Sequence, residues 1–97
     1  MKHDIIVKWN PDVDAGRKAE MIPAIRELFE CAAAAIPGIH GVELFTNVTP
    51  RPNRYDLMIE IDMDPAALDA YDDCEWHHRW KSEYGGLIEK KAIFDHD

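Results

Sequence analysis

The sequence predicts an α+β fold, a split β-α-β sandwich of order β-α-β-β-α-β built on one four-stranded antiparallel sheet. Three observations predict it. A strand–helix–strand layout is written twice within 97 residues. The strand segments alternate apolar and polar side chains with the period of two that a half-covered strand requires. The helical segments carry apolar residues at three- and four-residue steps, one stripe each, so they can cover one face of the sheet and leave the other.

The first strand is His3–Trp9. His3, Ile5, Val7 and Trp9 share one face, and Asp4, Ile6 and Lys8 the other. Asn10-Pro11-Asp12 breaks it. Met21, Ile22, Ile25, Leu28, Phe29, Ala32 and Ile36 form the stripe of the first helix, with Asp14 as its N-cap. Pro23 inside that pattern predicts a separate short helix or a kinked start. Ile36-Pro37-Gly38 ends it, because a residue before proline avoids the helical region and glycine suits a C-terminal stop. Val42–Asn47 and Tyr55–Asp62 read as the next two strands, joined by the turn-rich Thr49-Pro50-Arg51-Pro52-Asn53. Asp64-Pro65 starts the second helical region, which carries Leu68 and Tyr71, then a second piece with Trp76, His77, Trp80 and Tyr84. Gly85-Gly86 stops it, and Leu87–Asp95 is the last strand.

Length and composition bound the function. The chain reads as a single domain, residues 1–97. Its net charge is −8 and its basic residues are scattered, so it lacks the basic stripe that phosphate neutralisation demands. The sequence therefore predicts neither a nucleic-acid nor a membrane partner. No apolar run reaches the roughly 18–20 residues of a membrane span. The N-terminus runs straight into a strand pattern without a signal-peptide core, so a cytoplasmic location is expected. Cys31 and Cys74 make neither a C-x-x-C pair nor a disulfide framework.

The second sheet face predicts a partner. It carries Ile6, Phe45 and Met58 among Lys8, Glu43 and Glu60. A small protomer buries only about 60–70% of its unfolded surface. Pressing two copies sheet to sheet would cover those apolar residues, and a two-fold homodimer is the commonest way to do so.

Several short motifs stand in a fixed order. His3 opens the first strand and Lys8-Trp9 closes it; Ile36-Pro37-Gly38 follows. Asn47-Val48-Thr49 precedes Tyr55-Asp56-Leu57. Leu68-x-x-Tyr71 is followed by His77 six positions on, with Trp80 beyond, and Ile93-Phe94-Asp95 lies near the end. In that order and spacing the chain resembles, over essentially its whole length, the stress-responsive A/B barrel (Dabb) domain of the dimeric α+β barrel proteins. The resemblance implies a ferredoxin-like protomer, a two-fold dimer closing into an α+β barrel, and a small pocket between sheet and helices. One plant branch of the family cyclises polyketide chains by acid–base catalysis without a cofactor. Its catalytic tyrosine and histidine match Tyr71 and His77, and a supporting strand-one histidine matches His3. The chain departs from that branch at Leu57, where the branch has a further histidine, and at Cys74-Glu75, in place of the usual His-Pro pair.

The chemistry of these side chains fits the same roles. An imidazole titrates near neutrality, so His77 can pass a proton in either direction. A phenol at Tyr71 can stabilise a developing oxyanion. His3 shares its strand face with Ile5 and Val7, which aims it at the helices. Ile5, Val7, Trp9, Leu57, Ile59 and Trp80 are the expected pocket lining. No metal site is expected, since Cys74 with His77 or His78 supplies only two ligands, and no cofactor is expected.

The leading expectation is a dimeric barrel protein that binds a small organic molecule, with cofactor-free cyclase- or isomerase-like chemistry on a carbonyl compound. Two other readings fit the same chain: a non-catalytic stress-responsive binding or structural protein, and a cofactor-free monooxygenase.

Overall fold

The computed structural model describes residues 1–97. Its elements are β1 (Lys2–Trp9), α1 (Ala15–Ala35), β2 (Ile39–Thr46), β3 (Leu57–Met63), α2 (Leu68–Asp73), α3 (Glu75–Tyr84) and β4 (Ile88–His96), with single 3-10 turns at Pro65–Ala67 and Gly85–Leu87. The strands form one sheet in the order β2-β3-β1-β4, each neighbour antiparallel. This is the ferredoxin-like β-α-β-β-α-β arrangement, with its second helix broken in two.

Alternation decides which side of the sheet is dry. His3, Ile5, Val7 and Trp9 of β1 and Leu57, Ile59, Ile61 and Met63 of β3 all face the helices, and all are buried. From above, α1 lays down Met21, Ile25, Leu28, Phe29 and Ala32, and the α2–α3 segment adds Tyr71 and Trp80. Trp80 meets Phe29 edge-on at 5.3 Å and Trp9 at 6.4 Å, tying α3 to α1 and β1. Burying such side chains is worth about 1.5–3 kcal/mol each.

Three local details set the geometry. Asp14 caps α1, its Oδ1 accepting from the Arg17 N–H at 2.8 Å. The helix runs unbroken through Pro23. Proline removes the bond to the Ala19 carbonyl, and Ala19 is exposed, where solvent can replace it. At the other end, Gly38 has φ 93°, and a Cβ there would stand 3.1 Å from that of Ala67. Glycine is needed both for the left-handed turn and for the close approach of the Pro65–Ala67 turn.

Two strand starts differ from the sequence expectation by more than one residue; the other strand ends agree within one. β2 begins at Ile39 rather than Val42, through an irregularity between Ile39 and Gly41. β3 begins at Leu57 rather than Tyr55. Asp56, just before β3, keeps backbone bonds to Val7 and Asn47, while its Oδ2 accepts the Trp9 N–H at 2.8 Å and its Oδ1 the Lys18 ammonium at 3.0 Å.

The face away from the helices is not uniformly polar. Phe45, Met58, Ile6 and Ala92 are cross-strand neighbours in one row spanning all four strands. The next row is Glu43, Glu60, Asp4 and Phe94. Phe45 is 44% and Phe94 62% exposed, so both edge strands carry an uncovered aromatic ring in the single protomer. No helix is long and apolar enough to cross a membrane.

Candidate functional site

The break between α2 and α3 builds the site. Cys74 leaves the helical region (φ −74°, ψ 156°), and its sulfur accepts the His77 N–H at 3.3 Å as the N-cap of α3. The chain therefore turns between Tyr71, on the last turn of α2, and His77, on the first turn of α3. That turn folds the two rings together, with centroids 4.8 Å apart. From below, His3 of β1 meets Tyr71 edge-on at 5.6 Å. The three residues singled out by sequence are thus brought into one stack of rings. His78, next along α3, points to solvent.

Each member of the stack has a distinct electrostatic state. The Tyr71 hydroxyl is buried and makes no hydrogen bond. Burial, reinforced by nearby Cys74 and Asp72, pushes the phenol far above its usual pKa, so it remains a proton donor. His77 is half-buried, and loss of hydration holds its pKa below the ordinary imidazole value, although the Asp72 carbonyl opposes the shift. Its Nδ1–H donates to that carbonyl at 2.9 Å. A carbonyl can only accept, so Nδ1 carries the hydrogen and Nε2 keeps its lone pair. His3 is fixed from the other side. Its Nδ1 stands 2.5 Å from Asp95 Oδ1 on β4. Asp95 is the residue that sequence reasoning did not assign a role. Its only sequence signal is its place at the end of Ile93-Phe94-Asp95, because its pairing with β1 is set by a strand 92 residues away.

Tyr71 and His3 are buried, and the stack borders an exposed strand edge on one side. Asp95, Ile93 and Lys91 pair with His3, Ile5 and Val7 and so face the helix side of the sheet, yet all three are exposed. The helices leave this edge of β4 open, and Lys91 is close enough to His77 to help lower its pKa.

The expected pocket lining divides. Ile5, Val7, Ile59 and Trp80 lie in the solid core, at most 2% exposed. The larger clefts are elsewhere. Trp9 and Leu57 do line one, a cleft of about 530 Å³ between the start of α1 and the β2–β3 loop, with Ala19, Ile22 and Val48 on its walls. Lys18 and Asp56 stand at its rim. That cleft lies at the far end of β1 from His3, roughly 20 Å away at the usual strand rise.

Comparison with known proteins bears on the fold. No family model matches the chain, and no curated protein matches it in sequence. Solved structures do match. A dimeric ferredoxin-like protein of unknown function from Bacteroides fragilis superposes with a TM-score of 0.82 at 20% identity, covering 99% of this chain and 93% of that one. A Dabb family protein with a ferredoxin-like fold from Mesorhizobium loti superposes at 0.74 with 16% identity, over 99% and 93%. The chain shares the ferredoxin-like fold of these proteins, a Dabb family protein among them. The resemblance read from the ordered motifs and the architecture in space therefore agree. The same fold also carries an enzyme: a hydroxynitrile lyase from Passiflora edulis superposes at 0.72 with 12% identity, over 96% and 87%.

Proposed function

We propose that His3, Tyr71 and His77 form a cofactor-free acid–base site acting on a small carbonyl compound, in a protein that works as a homodimer. The Tyr71 hydroxyl carries this reading: it is buried and unpartnered, on a ring that contacts two imidazoles. A buried hydroxyl without a partner costs about 1–3 kcal/mol, a cost that makes sense where the group waits for a substrate oxygen. Substrate approaches over the uncovered edge of β4. Nε2 of His77 takes the proton from carbon beside the carbonyl, and the Tyr71 O–H donates to the oxygen as it becomes an enolate. His3, held by Asp95, fixes the Tyr71 ring from below. The lowered pKa of His77 keeps the base neutral at physiological pH. The passion-fruit lyase supports the reading only in that the same fold hosts lyase chemistry without implying its substrate here.

A turnover screen against carbonyl compounds by 1H NMR or mass spectrometry, with His77→Ala alongside the native protein, tests this. Equal rates for the two would remove His77 from the mechanism.

The cleft of about 530 Å³ supports a second reading, a binding protein whose ligand sits between α1 and the β2–β3 loop. Thermal shift against a metabolite panel separates the two. Stabilisation lost in Tyr71→Phe places the ligand at the ring stack. Stabilisation that survives Tyr71→Phe and is lost when Ala19→Trp fills the cleft places it there.

A further inference from the structure

The open sheet face holds a second cluster of titratable groups, on the opposite side of the sheet from Tyr71 and His77. Asp4 and Glu60 are direct cross-strand partners on β1 and β3. His96, near the end of β4, pairs with Lys2 and reaches diagonally to Asp4. Its Nε2 lies 2.8 Å from Asp4 Oδ2 and 3.7 Å from Glu60 Oε2. One ligand atom from each of the three residues lies within 4.8 Å of the other two.

Asp4 is the unusual member. It sits on the face without helices, yet only 6% of it is exposed. Its Oδ1 is buried with no hydrogen-bond partner. Carboxylates are rarely buried unless paired or bound to a metal. Lys2, on the same face of β1, pairs with Asp62 at 3.5 Å.

We propose that Asp4, Glu60 and His96 form a binding site for a divalent transition-metal ion of the zinc or cobalt type. Two carboxylates and one imidazole are a ligand set these ions accept, and three protein ligands leave a fourth position open. Ligands about 2.0–2.2 Å from zinc stand roughly 3.3–3.6 Å apart at the corners of a tetrahedron. His96 Nε2 stands 2.8 and 3.7 Å from the two carboxylates, and all three ligand atoms lie within 4.8 Å of one another, so side-chain rotations can bring them to that spacing. The ion replaces the proton on His96 Nε2 and gives the crowded carboxylates a counter-charge.

The test uses the whole protein, stripped with chelator. Zn²⁺ is followed by titration calorimetry and Co²⁺ by its visible absorption, which distinguishes a tetrahedral from an aqueous ion. One ion per chain is expected. Loss of even an outer hydrogen-bond partner weakens metal sites about 10- to 100-fold, so loss of a ligand in Glu60→Gln or His96→Ala should weaken binding at least about tenfold. His96 is the last residue of the edge strand β4 and is 39% exposed in its side chain, so His96→Ala remains informative even where Asp4→Asn fails to fold. His40→Ala serves as the control, since His40 pairs only with Asp64 at an exposed site. Binding of unchanged strength in Glu60→Gln and His96→Ala, or no saturable binding of either ion, overturns the proposal. Neither result bears on turnover at His77.

Discussion

Nδ1 of His77 lies 2.9 Å from the carbonyl oxygen of Asp72, across the helix break at Cys74. This bond sets the tautomer, while burial sets the pKa below the usual 6.5. A histidine with a lowered folded pKa binds its proton more weakly folded than unfolded. Stability from this group is therefore whole above about 6.5 and falls as pH drops from there through the lowered folded value. In an NMR titration the His77 ring should show a midpoint below 6.5. His96 should show one above 6.5, its pKa raised first by the Asp97 carbonyl and then by Asp4 and Glu60. In His77→Phe the loss of stability between neutral and mildly acidic pH should shrink. A His77 midpoint at or above 6.5 would contradict the proposed neutral base.

The cap at Cys74 gives a separate handle on the same ring. Sulfur is a weak acceptor, and the Cys74 Sγ to His77 N contact is 3.3 Å. Serine offers an oxygen of the kind preferred at N-caps, so Cys74→Ser should gain on the order of 0.5–1 kcal/mol in urea unfolding, with an unchanged slope. Cys74→Ala, which leaves the N–H without its cap, should lose about 0.5 kcal/mol or more. If serine and alanine prove equal, the cap contributes nothing and the break must be held by packing alone.

Tyr71→Phe should separate stability from function. Removing a buried hydroxyl that has no partner recovers its desolvation cost, so the variant should be more stable by about 1 kcal/mol. Turnover or ligand stabilisation should be lost with the same oxygen. A destabilised variant would mean that the hydroxyl has a partner, such as an ordered water.

Much of the architecture was legible because β1 and β3 are covered on one side only. Their alternation, Ile5-Val7-Trp9 and Leu57-Ile59-Ile61, writes the buried face directly into the chain. Edge strands are read less well. β2 starts among Ile39, His40 and Gly41, where an irregular register blurs the period of two. Asp56, just before β3, also bonds through its side chain to the Trp9 N–H, which no periodicity records. The ring stack could be anticipated from His3, Tyr71 and His77. The separation of that stack from the main cleft could not, because it depends on how fully Ile5, Val7, Ile59 and Trp80 fill the space between sheet and helices. The pairs His3–Asp95 and Asp4–His96 each join residues 92 apart, a closeness that only the β1–β4 register creates.

That same register defines the dimer prediction. The row Phe45–Met58–Ile6–Ala92 crosses the whole open face, and Phe94 adds to it one row away. Two copies meeting on this stripe would bury apolar surface at about 25 cal/mol per Å², and the similar protein from Bacteroides fragilis is dimeric. Light scattering should give about twice the 11.1 kDa chain mass. Phe45 sits on an edge strand at 44% exposure, so a charge there leaves the protomer core intact. Phe45→Glu should therefore shift the mass toward a single chain while circular dichroism stays native. The open-face rows also carry Glu43 and Glu60, so the new carboxylate would face like charges as well as apolar side chains across a two-fold interface. A Phe45→Glu protein that kept the dimer mass would place the interface on some other surface.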